Sequence, residues 1–86
     1  MPTIAIVDGI LIVLYFNDHA PPHFHAYYGE DAASIEIDTL AVREGRLPRR
    51  AMALIMEWAV GHRDELREDW RLAEEHQPLN PIAPLE

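Results

Sequence analysis

Cysteine and lysine are both missing from this chain of 86 residues. Without cysteine there can be no disulfide, no thiolate nucleophile and no cysteine zinc site, and the chain suits a reducing compartment. The sequence also has no signal-peptide pattern and no apolar run long enough to span a bilayer, so we expect a cytoplasmic protein without a membrane segment. Gly-rich phosphate loops and nucleophile elbows are absent as well, so any chemistry has to come from other residue types.

Positive charge is scarce. Fifteen acidic residues against seven arginines give a formal net charge of −8, which disfavours indiscriminate binding to phosphate backbones. The charges are unevenly placed, because residues 43–50 hold four of the arginines and residues 64–75 are rich in acid. The first segment could face an anion, and the second could be offered to a basic partner.

The composition is that of a folded domain. Apolar residues make up 49% and charged residues 26% of the chain, which is ordinary for a globular protein. Since the length leaves no room for a second core, we predict one domain over residues 1–86, with strands between 3 and 47, helices between 48 and 76, and an extended proline-rich tail over 77–86. A domain of this size is only marginally stable, so a homo-oligomer is one way to complete its core.

The first half of the chain has the patterns of short strands. We predict strands over residues 3–7, 10–16, 23–28, 33–38 and, from a weaker pattern, 41–47. Asp8-Gly9 is typical of a hairpin turn. Pro21 and Pro22 interrupt a ladder, because neither has an N–H to donate.

The second half of the chain has helical patterns. Pro48 suits the first position of a helix, and residues 49–60 are apolar on nearly every side, which predicts burial on most sides. Residues 63–76 are a second helical segment, with His62 as a packed hinge before it. Strands followed by helices predict an α+β fold: a small antiparallel β-meander of four to five strands, followed by two helical segments packed on one face. The core is expected to contain four large aromatic residues: Tyr15, Phe16, Trp58 and Trp70.

Three of the five histidines lie within seven positions, in the run DHAPPHFHAYY over residues 18–28. If residues 23–28 form a strand, alternation puts His23, His25 and Tyr27 on one face. The Cα atoms of the two histidines are then roughly 6–7 Å apart. Two imidazoles placed in this way can share a metal ion, a phosphate or a proton-transfer task.

Metal binding is one interpretation of the three histidines. His19, His23 and His25 could hold a divalent, zinc-like ion and leave a fourth position open, as catalytic zinc sites do. A carboxylate ligand could be added by one of three acidic residues in the same region: Asp18, Glu30 or Asp31.

Acid–base catalysis without any cofactor is the second interpretation. Because imidazole titrates near neutral pH, a pair of histidines can supply one base and one acid, as RNA cleavage at the 2′-hydroxyl requires. An arginine near the start of the first helix could then stabilise the developing negative charge, helped by the helix N-terminus; the candidates are Arg46, Arg49 and Arg50. In the third interpretation, His23 and His25 simply occupy the solvent face of a half-exposed strand.

Motifs spread over nearly the whole chain are typical of one small bacterial family. They are MPTI at 1–4, DGI at 8–10, YFNDH at 15–19, PPHFH at 21–25, YGE at 28–30, GRLPRRA at 45–51, Glu57-Trp58, His62, Trp70 and a closing PL-x-x-I-x-PL pattern. On these motifs, of which PPHFH is the specific one, the chain resembles the domain-of-unknown-function family 4160. It departs from many members at Leu40, where they have a glycine in a turn before the fifth strand.

The resemblance implies a function that the residue spacing alone does not. Members are typically encoded beside another small protein of unknown function, and such pairs resemble toxin–antitoxin modules in which this family supplies the toxin. The implied partner is a small antitoxin-like protein encoded alongside. The activity is implied at the motif residues, which are His19, His23, His25 and Tyr28.

Together these observations predict the toxin component of a two-gene toxin–antitoxin module, held inactive by a tightly bound partner. We expect the histidine motif to act on RNA or a nucleotide, as a ribonuclease-like or a metal-dependent hydrolase, through six catalytic residues: His19, His23, His25, Tyr28, Arg49 and Arg50. Two other classes stay open, namely a small metal-binding enzyme or module and a non-catalytic protein-interaction domain.

Overall fold

The computed structural model describes residues 3–84. Its elements follow in the order β1 (Thr3–Val7), β2 (Ile10–Val13), β3 (His23–Tyr28), β4 (Asp31–Glu36), β5 (Val42–Arg46), α1 (Arg49–Gly61) and α2 (Arg63–Glu74). Residues 1, 2, 85 and 86, where the predicted domain and its tail begin and end, lie outside the described residues.

The strands form one antiparallel sheet in which each strand pairs with the next along the chain, in the order β1-β2-β3-β4-β5. Two-residue turns join β1 to β2 and β3 to β4, and antiparallel strands connected in this way pair with each other. The longer connections, residues 14–22 and 37–41, also lead to the neighbouring strand. The predicted α+β fold is confirmed, with five strands in the meander and two helices after them.

β2 is shorter than predicted. It ends at Val13, which faces His25 of β3, whereas the apolar run continues to Phe16. Continuing the ladder would bring Phe16 opposite Pro22, which has no N–H to share. The chain therefore leaves the sheet, and the core prediction is wrong for Phe16, which is 36% exposed, while Tyr15 is half-buried.

β4 is shifted toward the N-terminus by two residues relative to the predicted strand. It ends at Glu36 because the chain turns there, with Leu40 donating its N–H to the Glu36 carbonyl at 2.9 Å. Leu40 adopts a φ of 62° in this turn, a left-handed conformation that glycine adopts far more readily than leucine. A glycine at position 40 would therefore relieve the backbone strain of this turn.

The core lies between one face of the sheet and the two helices. Phe24 of β3 meets Trp58 of α1 edge to face, with ring centroids 6.1 Å apart, and Leu66 and Trp70 of α2 belong to the same buried cluster. His62 lies between the helices with its ring 5.3 Å from that of Trp58, as expected of a packed hinge.

The prediction that α1 is buried on most sides is wrong. Its buried residues, Ala51, Ile55, Trp58 and Ala59, lie on one side, while Val60 is 60% exposed. The opposite side of α1 is exposed because the helix packs on a single sheet, which covers only one of its sides. Pro48 also precedes α1 rather than occupying its first turn: its ψ of 147° is extended, and its carbonyl accepts the Met52 N–H at 2.9 Å.

The segment after α2 runs back over the molecule. The Ile82 N–H donates to the Ile4 carbonyl at 2.8 Å, and the Trp58 indole N–H donates to the Ala83 carbonyl at 2.8 Å. The predicted tail thus lies on the chain's own surface, where it joins β1 to α1. Neither of the two helices in the described residues has the length and apolarity needed to cross a membrane.

Candidate functional site

The connection between β2 and β3 carries Asp18 back over the start of β3. The Asp18 carboxylate oxygen Oδ2 lies 2.9 Å from Nε2 of His23 and 3.1 Å from Nε2 of His25. The two histidines are two residues apart on one strand, so both rings point to the same side of the sheet, as predicted. One carboxylate therefore bridges two imidazoles.

The carboxyl group of Asp18 is held in its ionised form. Burial alone would raise its pKa, but the hydrogen bond from His25, the backbone N–H of His19 and the nearby imidazoles together lower the pKa below the usual aspartate value. The side chain retains 22% exposure, so Asp18 is an anion that still reaches solvent.

The imidazole of His23 is buried and has contacts at both nitrogens. The residue is 3% exposed, and its ring lies 5.2 Å from that of Trp70 in α2. Besides the contact of Nε2 with Asp18, its Nδ1 lies 2.8 Å from the Pro21 carbonyl oxygen and 2.8 Å from NH1 of Arg43. Neither ring nitrogen of His23 is free to contact a substrate.

His25 is surrounded by two tyrosines. Its ring meets Tyr15 edge to face at 4.7 Å and stacks on Tyr27 at 6.3 Å. The two tyrosine hydroxyls are hydrogen-bonded to each other. This hydrogen bond, together with burial and the nearby charges, raises the pKa of Tyr27 to about 12, so Tyr27 remains a neutral hydroxyl at physiological pH.

A pocket of about 280 Å³ opens beside Asp18, between the β2–β3 connection and α2. Two aromatic side chains, Tyr15 and Trp70, lie on its walls with the polar Asn17 and the acidic Glu74. The carboxylate that joins the two histidines therefore lies on the wall of a pocket that is open to solvent.

Asp18, His23 and His25 can supply ligand atoms to one metal ion. Their candidate donor atoms all lie within 4.8 Å of one another. Donor atoms around a tetrahedral zinc ion with bonds of about 2.0–2.1 Å are about 3.3 Å apart, so the observed 2.9 and 3.1 Å separations need only a small outward movement. Two imidazoles and one carboxylate suit zinc or ferrous iron and leave coordination positions open.

The other predicted site residues do not meet at this cluster. His19 is exposed, and only its backbone N–H contacts Asp18, at 3.0 Å from Oδ1. Tyr28 and Arg50 line a separate pocket with Asp8, because Tyr28 alternates to the face opposite His25. Arg49 is exposed at the start of α1.

The sequence does not predict three residues of the cluster: Tyr15, Arg43 and Trp70. The apolar run of β2 predicts Tyr15 in the core, although the β2–β3 register extended by two residues places it opposite His23. Arg43 reaches His23 across β4 from an irregular stretch of β5, where the pairing shifts between Ser34 and Ile35. The contact of Trp70 with His23 depends on how α2 docks, for which the sequence carries no signal.

Comparison with family profiles identifies the family of this chain. The profile of the domain of unknown function DUF4160 matches residues 9–71, which include β2 to β5, α1 and the whole Asp18-His23-His25 cluster. No curated protein and no solved structure matches the chain significantly. Since the match covers well over half of the chain, the chain belongs to the DUF4160 family.

Proposed function

We propose that this protein is the toxin of a two-gene toxin–antitoxin module and acts through one divalent metal ion held by Asp18, His23 and His25. The convergence of the three donor atoms within 4.8 Å carries the metal part of the proposal. The toxin part rests on the resemblance of the motifs to those of the family. It implies a small antitoxin-like partner and action in the bacterial cytoplasm.

Acid–base catalysis by the two histidines alone is less well supported. A general base has to reach the proton that it removes, yet both nitrogens of His23 have protein partners and the ring is 3% exposed. A metal ligand, by contrast, is expected to be buried and oriented by a second hydrogen bond, as the Pro21 carbonyl can do for Nδ1 of His23.

The proposed substrate is RNA or a nucleotide, and the proposed reaction is hydrolysis of a phosphate ester. A bound ion of this kind supplies Lewis acidity and a nucleophile at neutral pH. The chain's own residues provide the rest: Tyr15 and Trp70 form aromatic walls on which a base can stack. The neutral hydroxyl of Tyr27, beside His25, is hydrogen-bonded to the hydroxyl of Tyr15 and so orients that wall of the pocket.

The test uses Asp18→Asn, which keeps the shape of the side chain but replaces an anionic ligand with a weak one. Bacteria expressing the wild type should stop growing, and those expressing Asp18→Asn or His25→Ala should grow normally. The purified wild type should retain about one equivalent of a transition metal by elemental mass spectrometry, and the two variants should not.

Asp31→Asn is the matched control, because it makes the same change at the exposed start of β4. It should keep both toxicity and metal. If the wild type is harmless, the toxin role is wrong. If Asp18→Asn arrests growth as the wild type does, the metal centre is not the source of toxicity, and the chain is better described as a protein-interaction domain.

A further inference from the structure

The side chain of Arg43 and the backbone of Pro21 require opposite protonation of the same nitrogen of His23. Both NH1 of Arg43 and the carbonyl oxygen of Pro21 lie 2.8 Å from Nδ1. The guanidinium only donates and the carbonyl only accepts. Nδ1 therefore either carries a proton and donates it to Pro21, or has a free lone pair and accepts from Arg43, but cannot do both.

The contact of the second nitrogen, Nε2, distinguishes the two neutral tautomers of His23. Nε2 faces the carboxylate of Asp18 at 2.9 Å. In a neutral ring with the proton on Nε2, His23 donates to Asp18 and accepts from Arg43 at Nδ1. In the other neutral tautomer, Nδ1 donates to Pro21 and Nε2 has the lone pair that a metal ion requires.

We propose that Arg43 controls metal binding by holding His23 in the tautomer that cannot coordinate the ion. This inference rests on the proposed metal site and adds its regulation. When the ion binds, the Nε2 proton of His23 leaves to solvent and Nδ1 takes up one proton, so the ring remains neutral. Arg43 loses its acceptor and moves away, which its exposed position on β5 allows.

The experiment compares Zn²⁺ binding to the wild type, Arg43→Met and Arg46→Met by isothermal titration calorimetry. Arg46 is the matched control, since it is an exposed arginine on the same strand and its loss changes the net charge equally. A hydrogen bond from a charged donor is strong enough that its removal should tighten Zn²⁺ binding of Arg43→Met roughly tenfold or more. Arg46→Met should bind nearly as the wild type does.

The ¹⁵N chemical shifts of the His23 ring provide a readout that needs no metal. The metal-free wild type should have its proton on Nε2, and metal-free Arg43→Met should shift toward protonation at Nδ1. The same spectra report whether the variants are folded.

Equal tightening in Arg43→Met and Arg46→Met would attribute the effect to charge alone and overturn the role of Arg43. An unchanged His23 tautomer in Arg43→Met would overturn it as well. If the tautomer shifts but none of the proteins binds Zn²⁺, the control of the tautomer stands, and it is the metal site of the proposed function that fails together with its regulation.

Discussion

Two buried polar residues, His23 and Asp69, differ in how completely their polar atoms are satisfied. His23 has a protein partner at each ring nitrogen. Asp69, which is fully buried in α2, accepts the Asn80 N–H at Oδ1, 2.8 Å away, while its Oδ2 has no partner. Burying a carboxylate oxygen without a hydrogen bond lowers the free energy of unfolding. Asp69 therefore holds the segment after α2 in place but reduces the stability of the domain.

The buried carboxyl of Asp69 predicts a pH-dependent stability. Burial raises the pKa of Asp69 most, the acidic Glu65 and Glu68 raise it further, and the Asn80 N–H offsets part of the rise. The folded protein thus binds this proton more tightly than the unfolded chain. Stability is therefore lost as the pH rises from the ordinary aspartate value to the raised one. Each pKa unit of difference corresponds to about 1.4 kcal/mol.

Asp69→Asn tests this contribution, because the amide keeps an acceptor for Asn80 and has no proton to lose. In urea titrations between pH 3.5 and 7, the free energy of unfolding of Asp69→Asn minus that of the wild type should increase with pH and then level off. Glu57→Gln, an exposed neutralisation on α1, should show no such increase. A difference that stays flat with pH would contradict the raised pKa.

At the scale of the elements, β5 depends on a glycine. Gly45 has a φ of 73°, and a Cβ placed there would lie 2.1 Å from the carbonyl oxygen of Ala32 on β4. We expect Gly45→Ala to separate the two strands and to lower the free energy of unfolding by roughly 3 kcal/mol or more, from the clash and the left-handed backbone together. Urea denaturation measures the loss.

Gly29→Ala separates the two causes. Gly29 also has a positive φ, of 59°, but nothing lies within 4 Å of the position of an added Cβ. Its substitution should cost only the backbone strain, about 1–2 kcal/mol. Equal losses in the two variants would mean that β4 and β5 do not approach closely at Gly45.

The order of the elements could be predicted from the sequence because each hairpin is local. Asp8-Gly9 and the alternation of residues 23–28 specify β1, β2 and β3 from neighbouring residues alone, and the β3 limits agree with the structure. The end of β2 and the exposed side of α1 could not be predicted in this way. The end of β2 depends on Pro22, which would lie opposite Phe16 in a longer ladder. The exposed side of α1 depends on the helix packing against one sheet only.

Strand alternation predicts only one part of the site, the shared face of the two histidines of β3. His23 and His25 share a face because they are two residues apart on β3. The position of Asp18 depends on the path of residues 14–22 outside the sheet, and that of Arg43 on the irregular pairing of β5. Arg49 and Arg50 are near in sequence to Arg43, but α1 carries them away from the cluster.

At the scale of the whole molecule, the cluster joins parts of the chain that are far apart in sequence. Asp18 belongs to the β2–β3 connection, His23 and His25 to β3, Arg43 to β5 and Trp70 to α2. A metal ion held there would be bound by the folded chain and not by the unfolded one. Such binding would be coupled to folding, so the effect of a metal ion on the thermal stability of the domain tests the proposed site.

We expect Zn²⁺ at 100 times its dissociation constant to stabilise the wild type by about 2.7 kcal/mol. In a domain of this size that free energy raises the melting temperature by roughly 10–20 °C. Asp18→Asn should lose most of the shift in differential scanning calorimetry, because the anionic ligand is gone. His19→Ala should keep it, because that exposed side chain lies outside the cluster. If His19→Ala abolished the shift and Asp18→Asn kept it, the ligands would instead be the three histidines.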